Sequence, residues 1–153
     1  MNKIVIKIGG GLITDKSTYK SPKLDIIKSV AKVISKLSVD GHKFIVIHGA
    51  GSYGHLDSKK WSLATGADTE RIDGQRKAVI SVRNDMLELN KLLVDAFSIN
   101  DRQTITFPPS DWAEGIGSNF NGDLSGFNRK DNTIPISFGD VVDRNGPLEF
   151  GIL

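Results

Sequence analysis

Two stretches decide the fold of this chain: Lys3-Ile4-Val5-Ile6-Lys7-Ile8-Gly9-Gly10-Gly11, and Phe44-Ile45-Val46-Ile47-His48-Gly49-Ala50-Gly51-Ser52-Tyr53-Gly54-His55. In the first, β-branched residues alternate from Lys3 to Ile8 and stop at three glycines, the pattern of a strand feeding a glycine loop. In the second, a short continuous apolar run ends at His48 and a second glycine loop. Such a run is expected of a strand covered on both faces. Between them Pro22 opens a helical stretch in which Leu24, Ile27, Val30, Ile34 and Leu37 recur at spacings of three and four, and Gly41 ends it. Strand, loop, helix and strand in this order imply a parallel pair joined by a right-handed crossover.

Further along, a polar segment runs from Leu56 to about Asp73. The spacing of Val79, Val82, Met86, Leu89, Leu93 and Phe97 then predicts a long helix over roughly Gln75–Ile99. Thr104–Phe107 reads as a strand stopped by Pro108-Pro109. Residues 110–132 are polar and glycine-rich, and Asn121-Gly122 suggests the turn of a small hairpin. Ile134–Phe138 reads as another buried strand, ending at Gly139-Asp140. Val141-Val142, Asn145-Gly146 and Leu148–Leu153 read as a closing hairpin. The class is α/β with a mainly parallel sheet, without repeats, low-complexity tracts or an interdomain linker. The last residues alternate as a strand and the chain stops within it, which suggests a chain cut inside a larger fold.

Composition narrows the function. The 153 residues suit one domain, and 39% hydrophobic with 25% charged residues is a globular balance. With no cysteine, disulfides, Cys-ligated zinc, iron–sulfur clusters and thiol catalysis are excluded, and a reducing compartment fits. A net charge of +2 makes no electrostatic case for nucleic acid or an anionic membrane. No apolar run approaches the ~20 residues that span a bilayer. The apolar stretch at the N-terminus is too short for a signal peptide.

Glycine, at 16 residues, is the outlier, and two clusters of it fall at the C-terminal ends of the strands read as parallel. Open α/β sheets bind ligands at that edge. Glycine lets backbone N–H groups approach an anion, and a following helix N-terminus adds positive charge. Lys7 precedes the first cluster and Lys16 follows it. Two ammonium groups beside a glycine loop suit a transferring phosphoryl group, whose charge spreads over its oxygens. The plain alternative is a tight turn with two solvated lysines. Gly10–Ser17 misses the phosphate-binding pattern G-x-x-x-x-G-K-[ST], because Asp15 stands where the second glycine belongs. Gly49–Gly54 matches G-x-G-x-x-G, but no strand ending in an acidic residue follows about 20 positions on, as dinucleotide binding requires.

His55 closes the second loop and could hydrogen-bond a phosphate oxygen or be a surface histidine. His48 ends an apolar run and reads as a packed, hydrogen-bonded histidine; His42 reads as exposed. Three scattered histidines make a poor metal site, so any Mg²⁺ would ride on a nucleotide. Asp140, at a strand end, could orient a lysine, line a site or cap a turn. The stripe Val79, Val82, Met86 and Leu89 reads as core, but if the long helix borders the cleft, part of it and its neighbours Ile80 and Arg83 could wall an apolar substrate pocket.

Lys7-Ile8-Gly9-Gly10-Gly11, Ile13-Thr14-Asp15-Lys16, the Val46–His55 loop and Ser137-Phe138-Gly139-Asp140-Val141 together resemble the amino acid kinase superfamily, and within it the archaeal-type isopentenyl phosphate kinases. The lysine–glycine motif is common to the superfamily. Thr14-Asp15-Lys16 and the loop ending in His55 are more specific, and the resemblance runs along the whole chain. It implies a three-layer α/β/α sandwich. Lys7, Lys16 and His55 would be catalytic, Lys7 and Lys16 stabilising the transferring phosphoryl group and His55 holding the acceptor phosphate. Gly9, Gly10, Gly11 and Gly51 would contact nucleotide phosphates, and Ala50 and Gly54 the substrate. The implied reaction converts ATP and isopentenyl phosphate to ADP and isopentenyl diphosphate, in the alternative mevalonate route to isoprenoids. ATP and Mg²⁺ would be the cofactors, in a cytoplasmic homodimer. Family members are longer, continuing into a Ser-Gly-Asp-Asp segment. Residues 1–153 are therefore expected to be the N-terminal, phosphate-acceptor part, without the nucleotide-binding part and inactive alone. The alternatives are a related small-molecule kinase, such as a fosfomycin kinase, and a non-catalytic phosphate-binding module.

Overall fold

A computed structural model describes residues 3–144 and 149–153. Strand β1 (Lys3–Ile8) pairs in parallel with β2 (Lys43–His48), in register from Lys3 opposite Lys43 to Ile8 opposite His48. The connection holds a one-turn helix, α1 (Gly10–Ile13), and the crossover helix α2 (Leu24–Val39). After β2 come α3 (Gly51–Lys60) and α4 (Ile72–Ser98). Next are β3 (Thr104–Thr106), the single turn α5 (Pro109–Trp112), β4 (Ala113–Glu114), β5 (Asn121–Gly122) and β6 (Ile134–Phe138). A hairpin of β7 (Val141–Asp143) and β8 (Phe150–Ile152) follows. Its expected turn at Asn145-Gly146, with Leu148, lies outside the described residues. The main sheet is all parallel, in the order β1-β2-β6-β3. It is flanked by helices, as the α/β reading requires.

Alternation along the strands separates two faces. Ile8, Phe44, Val46, His48, Ile134, Ile136 and Phe138 are buried, and all but His48 join α2 and α4 in one apolar core. The α4 stripe read from the sequence, Val79 through Phe97, is buried throughout. On α2 the buried line is Ile27, Ala31, Ile34 and Ser35, with Leu24 and Leu37 exposed, so the inner face is turned from the expected one toward two small residues. The opposite face of the sheet carries Lys3, Val5 and Lys7 from β1 and Lys43, Ile45 and Ile47 from β2. Here β2 departs from expectation. Ile45 and Ile47 are half-buried and Val5 is 59% exposed, because among the described residues mainly the aromatic segment after β3 covers this face. β6 is buried on both faces, as read.

Two turns also differ. Residues 51–55 lie in the first turns of α3, so the second glycine loop shrinks to Gly49-Ala50. Asn121-Gly122 is a strand paired with Ala113–Glu114, and the chain reverses instead over residues 115–120. Gly115 (φ 74°) and Gly117 (φ 57°) supply the left-handed conformations of that reversal, which residues with a Cβ adopt only at a cost. Among the described residues no helix is long and apolar enough to cross a membrane.

Candidate active site

Ile8, His48 and Phe138 stand side by side at the C-terminal ends of β1, β2 and β6. The loops that follow are laced together at that level. Gly49 N–H donates to Ile8 O and Gly139 N–H to His48 O, each at 2.9 Å. Gly9–Gly11, Gly49–Gly51 and Gly139-Asp140 thus form one rim. Thr14, fully buried, ties it further: its hydroxyl donates to Gly10 O at 2.8 Å and accepts Ser52 N–H at 2.9 Å.

The glycines of the rim have distinct jobs. A Cβ at Gly10 would meet the Gly49 and Gly51 backbone, and one at Gly49 would lie 2.7 Å from Gly10 N, so these positions are glycine because two loops touch there. Gly51 also sits at φ 52°. Gly9 faces open space, and Gly11 lies under the Lys16 side chain, whose Cε is 2.8 Å from where a Cβ would be. Of the first cluster, Gly9 alone has the openness read for all three glycines.

Under the rim, on the face of the sheet away from α2 and α4, opens a cavity of about 1170 Å³. Its floor is Val5, Ile45, Ile47 and Ser137, and one wall is Trp112, Phe120, Leu124 and Phe127. Ring contacts join that wall: the Trp112 and Phe127 rings meet edge-on at 5.1 Å, and Phe107 backs Phe127 at 4.9 Å. Of the residues singled out in the sequence, Lys7, Ala50, Gly54, His55, His48 and Asp140 line the cavity. Lys16, Gly9, Gly10, Gly11 and Gly51 do not line it. The α4 pocket is narrower than expected. Val82 reaches the cavity, beside Gly54, where a Cβ would be 3.5 Å from Val82 Cγ1 and 3.3 Å from Met86 Sδ. Ile80 is 60% exposed, and Arg83 donates to Val141 O and Asp143, both at 3.0 Å.

Burial sets the two titratable groups at the strand ends. His48 is fully buried; loss of water pulls its imidazole down to about 4, so the ring is neutral at pH 7. Its Nδ1 lies 3.3 Å from Gly49 O and its ring packs on Phe138 at 5.2 Å, the packed role read for it. Asp140 accepts Val141 N–H at 2.8 Å. Burial pushes its carboxyl up to about 6, against the opposing pull of that bond and of Arg83.

A second polar cluster escaped the sequence reading. Tyr19 O–H donates to Asp85 at 2.5 Å, and Lys20 Nζ lies 2.8 Å from Asp85 and 2.5 Å from Glu88. The bond to Asp85 pushes the Tyr19 phenol up to about 12, and Asp85 with Glu88 raises the Lys20 ammonium above its ordinary value. One signal was available: Asp85 follows Val82 by three and precedes Leu89 by four, so a carboxylate interrupts an apolar stripe.

Chemically, the cavity sets Lys7 and His55 beside an apolar floor, which suits a ligand with an anionic head and a hydrocarbon body. A model of the amino acid kinase family matches residues 2–151. The isopentenyl phosphate kinase of Thermoplasma acidophilum is 31% identical over 107 residues, 70% of this chain and 41% of its own length. That of Methanocaldococcus jannaschii is 27% identical over 153 residues, 93% of this chain and 58% of its own. The crystal structure of the T. acidophilum enzyme in its product complex superposes with a TM-score of 0.81 at 28% identity, over 99% of this chain and 60% of that one. An X-ray structure of an isopentenyl phosphate kinase 23% identical superposes at 0.87, which shows the same fold. The chain spans about half the length of the curated relatives it matches. With its parallel sheet, its glycine rim and a family match over nearly every residue, the chain belongs to the amino acid kinase family.

Proposed function

We propose that this chain forms the phosphate-acceptor part of an isopentenyl phosphate kinase, which moves the terminal phosphoryl group of ATP onto isopentenyl phosphate. The observation that carries the reading is His55 and Lys7 standing over a cavity floored by Val5, Ile45 and Ile47. In this reading the phosphate lies at the rim and the C5 tail lies below it, against the floor and the Trp112–Phe127 wall. The nucleotide-binding part lies outside these residues, which fits a chain spanning 60% of the T. acidophilum enzyme's structure.

The acceptor is itself a phosphate, anionic at neutral pH, so its oxygen attacks without a strong general base. His55 hydrogen-bonds that phosphate and aims it. Lys7 and Lys16 offset the charge that spreads over the transferring group as the bond to the leaving ADP oxygen lengthens. Among the described residues Asp140 is the one acidic side chain lining the cavity, and its buried carboxyl is already held by Val141 N–H. That environment fits a Mg²⁺ held chiefly by the nucleotide's phosphates, where it would screen their charge. The homodimer and the cytoplasmic setting of the family belong to the same proposal.

Calorimetry on the purified chain tests it. Isopentenyl phosphate should bind more tightly than inorganic phosphate or isopentenol, because head and tail both contribute, and fosfomycin should compete poorly. Equal binding of isopentenyl phosphate and inorganic phosphate would remove the tail site and the reading with it.

A further inference from the structure

Lys16 rides on an excursion from Thr14 to Pro22 whose base is closed. Thr14 and Pro22 form a β-bridge, and Asp15 N–H donates to Ser21 O at 2.8 Å. Asp15 Oδ1 accepts both the N–H (2.9 Å) and the hydroxyl (2.7 Å) of Ser17, so Lys16 sits inside a tight turn. The other end is held from outside. Lys20 N–H donates to Ser52 O at 3.3 Å, Ser21 N–H to Ser52 Oγ at 3.1 Å, and the Tyr19 and Lys20 side chains reach Asp85 on α4. Lys20 stands at φ 50°, a conformation a lysine keeps only when its surroundings hold it there.

Asp85 is only 5% exposed and interrupts the apolar stripe on the buried face of α4. A carboxylate so placed is costly unless it is paired, and the partners the structure gives it both come from the Lys16 excursion. Docking the excursion satisfies Asp85, and Asp85 in turn fixes the excursion's conformation. Without that clamp the segment keeps its base, its Ser52 bonds and the Lys20–Glu88 pair, but Tyr19 is released, and a long, flexible lysine loses part of the preorganisation on which charge stabilisation depends.

We propose that Asp85 is a positioning residue for Lys16: by accepting Tyr19 and Lys20 it clamps the Thr14–Pro22 excursion shut and keeps the Lys16 side chain over Gly11. The inference rests on the assignment of Lys16 to phosphoryl binding made above.

The test uses the purified 153-residue chain with inorganic tripolyphosphate as the probe, read by calorimetry in the wild type, K16A, D85N and the double variant. Hydrogen exchange of residues 14–22 is followed in parallel. Loss of a charged hydrogen bond should make K16A bind about 10-fold more weakly. D85N should weaken binding by about 3- to 10-fold, and the double variant should bind no worse than K16A, because both remove the same contact. Residues 14–22 should exchange about 10-fold faster in D85N, with β1 and α4 as protected as before. K20M, which cuts the clamp from the excursion's side, should reproduce D85N if the buried substitution does not fold, and K20R should restore wild-type behaviour. Wild-type binding by D85N and K20M, or an effect that adds in full to K16A, overturns the positioning role while leaving Lys16 in place. A wild type that does not bind the probe, or K16A binding like the wild type, overturns the Lys16 assignment and the positioning role together.

Discussion

Replacing Gly10 by alanine separates a glycine needed for packing from one needed to admit phosphate. The added Cβ would lie 2.7 Å from Gly51 Cα and 3.0 Å from Gly49 C, and these atoms are backbone, which cannot swing aside. Overpacking of this kind costs about 1–3 kcal/mol. Alanine's helix preference returns well under about 1 kcal/mol at the first residue of a four-residue helix. The net loss of about 1–3 kcal/mol lowers the melting temperature by roughly 3–9 °C in a domain of this size. The control is Gly9→Ala. Gly9 has φ −62° and ψ 134°, and no atom lies within 4 Å of an added Cβ. Alanine there should leave stability unchanged or raise it by about 0.4–1 kcal/mol through the unfolded chain. Thermal unfolding followed by circular dichroism, with urea midpoints as a check, reads both. G10A melting with the wild type, or G9A falling as far as G10A, would refute the loop-contact account of this rim.

Three further outcomes are expected. His55→Ala should weaken isopentenyl phosphate binding by about 1.5–3 kcal/mol, the scale of a charged hydrogen bond; an unchanged calorimetric Kd would count against its role. In a turnover-competent, extended chain, Lys16→Ala should lower kcat more than it raises KM, since it acts on the transition state; the reverse split would make it a ground-state anchor. Stability should also show two opposed pH slopes. Asp140 has its carboxyl raised from 3.8 to about 6, so its contribution is fully present below pH 4 and is lost as pH climbs through 6. The amount is at most about 3 kcal/mol, at about 1.4 kcal/mol for each tenfold change in proton affinity. His48, lowered from 6.5 to about 4, contributes above pH 6.5 and loses its contribution as pH falls toward 4. D140N should therefore gain on the wild type as pH rises from 4 to 7, and His48→Gln should gain as pH falls. Parallel urea-stability curves for D140N and wild type across that range would refute the burial of Asp140.

Much of the architecture was readable because periodicity and glycine punctuation are local signals. Lys3–Ile8, Ile134–Phe138 and the α4 stripe lie where their patterns place them. β2 misled for a physical reason: a continuous apolar run reports hydrophobicity, and Ile45 and Ile47 face a cavity as readily as a helix. Asn121-Gly122 misled because the pair favours a turn without demanding one, and Gly115 with Gly117 took that role. Lys7, Ala50, Gly54 and His55, singled out from spacing or resemblance, line the cavity. The Tyr19–Lys20–Asp85 clamp was not legible, since it joins residues 65 and 66 positions apart in sequence, whose meeting depends on how α4 lies against the first loop. Nor could spacing show that Gly10 and Gly49 are glycine for each other's sake.

The strand order β1-β2-β6-β3 bears on how the chain reaches this shape. β6 lies between β2 and β3, yet it is synthesised about ninety residues after the first and about thirty after the second. While the ribosome works, β1, α2 and β2 can close on themselves as a local unit, and α4 can wind. The partner of β3 among the described residues, β6, is complete only once residue 138 has emerged. Long-range parallel pairing of this kind makes folding slow, and the intermediate presents the edge of β2 and the unpaired Thr104–Thr106 to its surroundings. Substitutions in Ile134–Phe138 should therefore slow folding and lower soluble yield beyond what their equilibrium cost implies, because this strand arrives after both of the strands it joins.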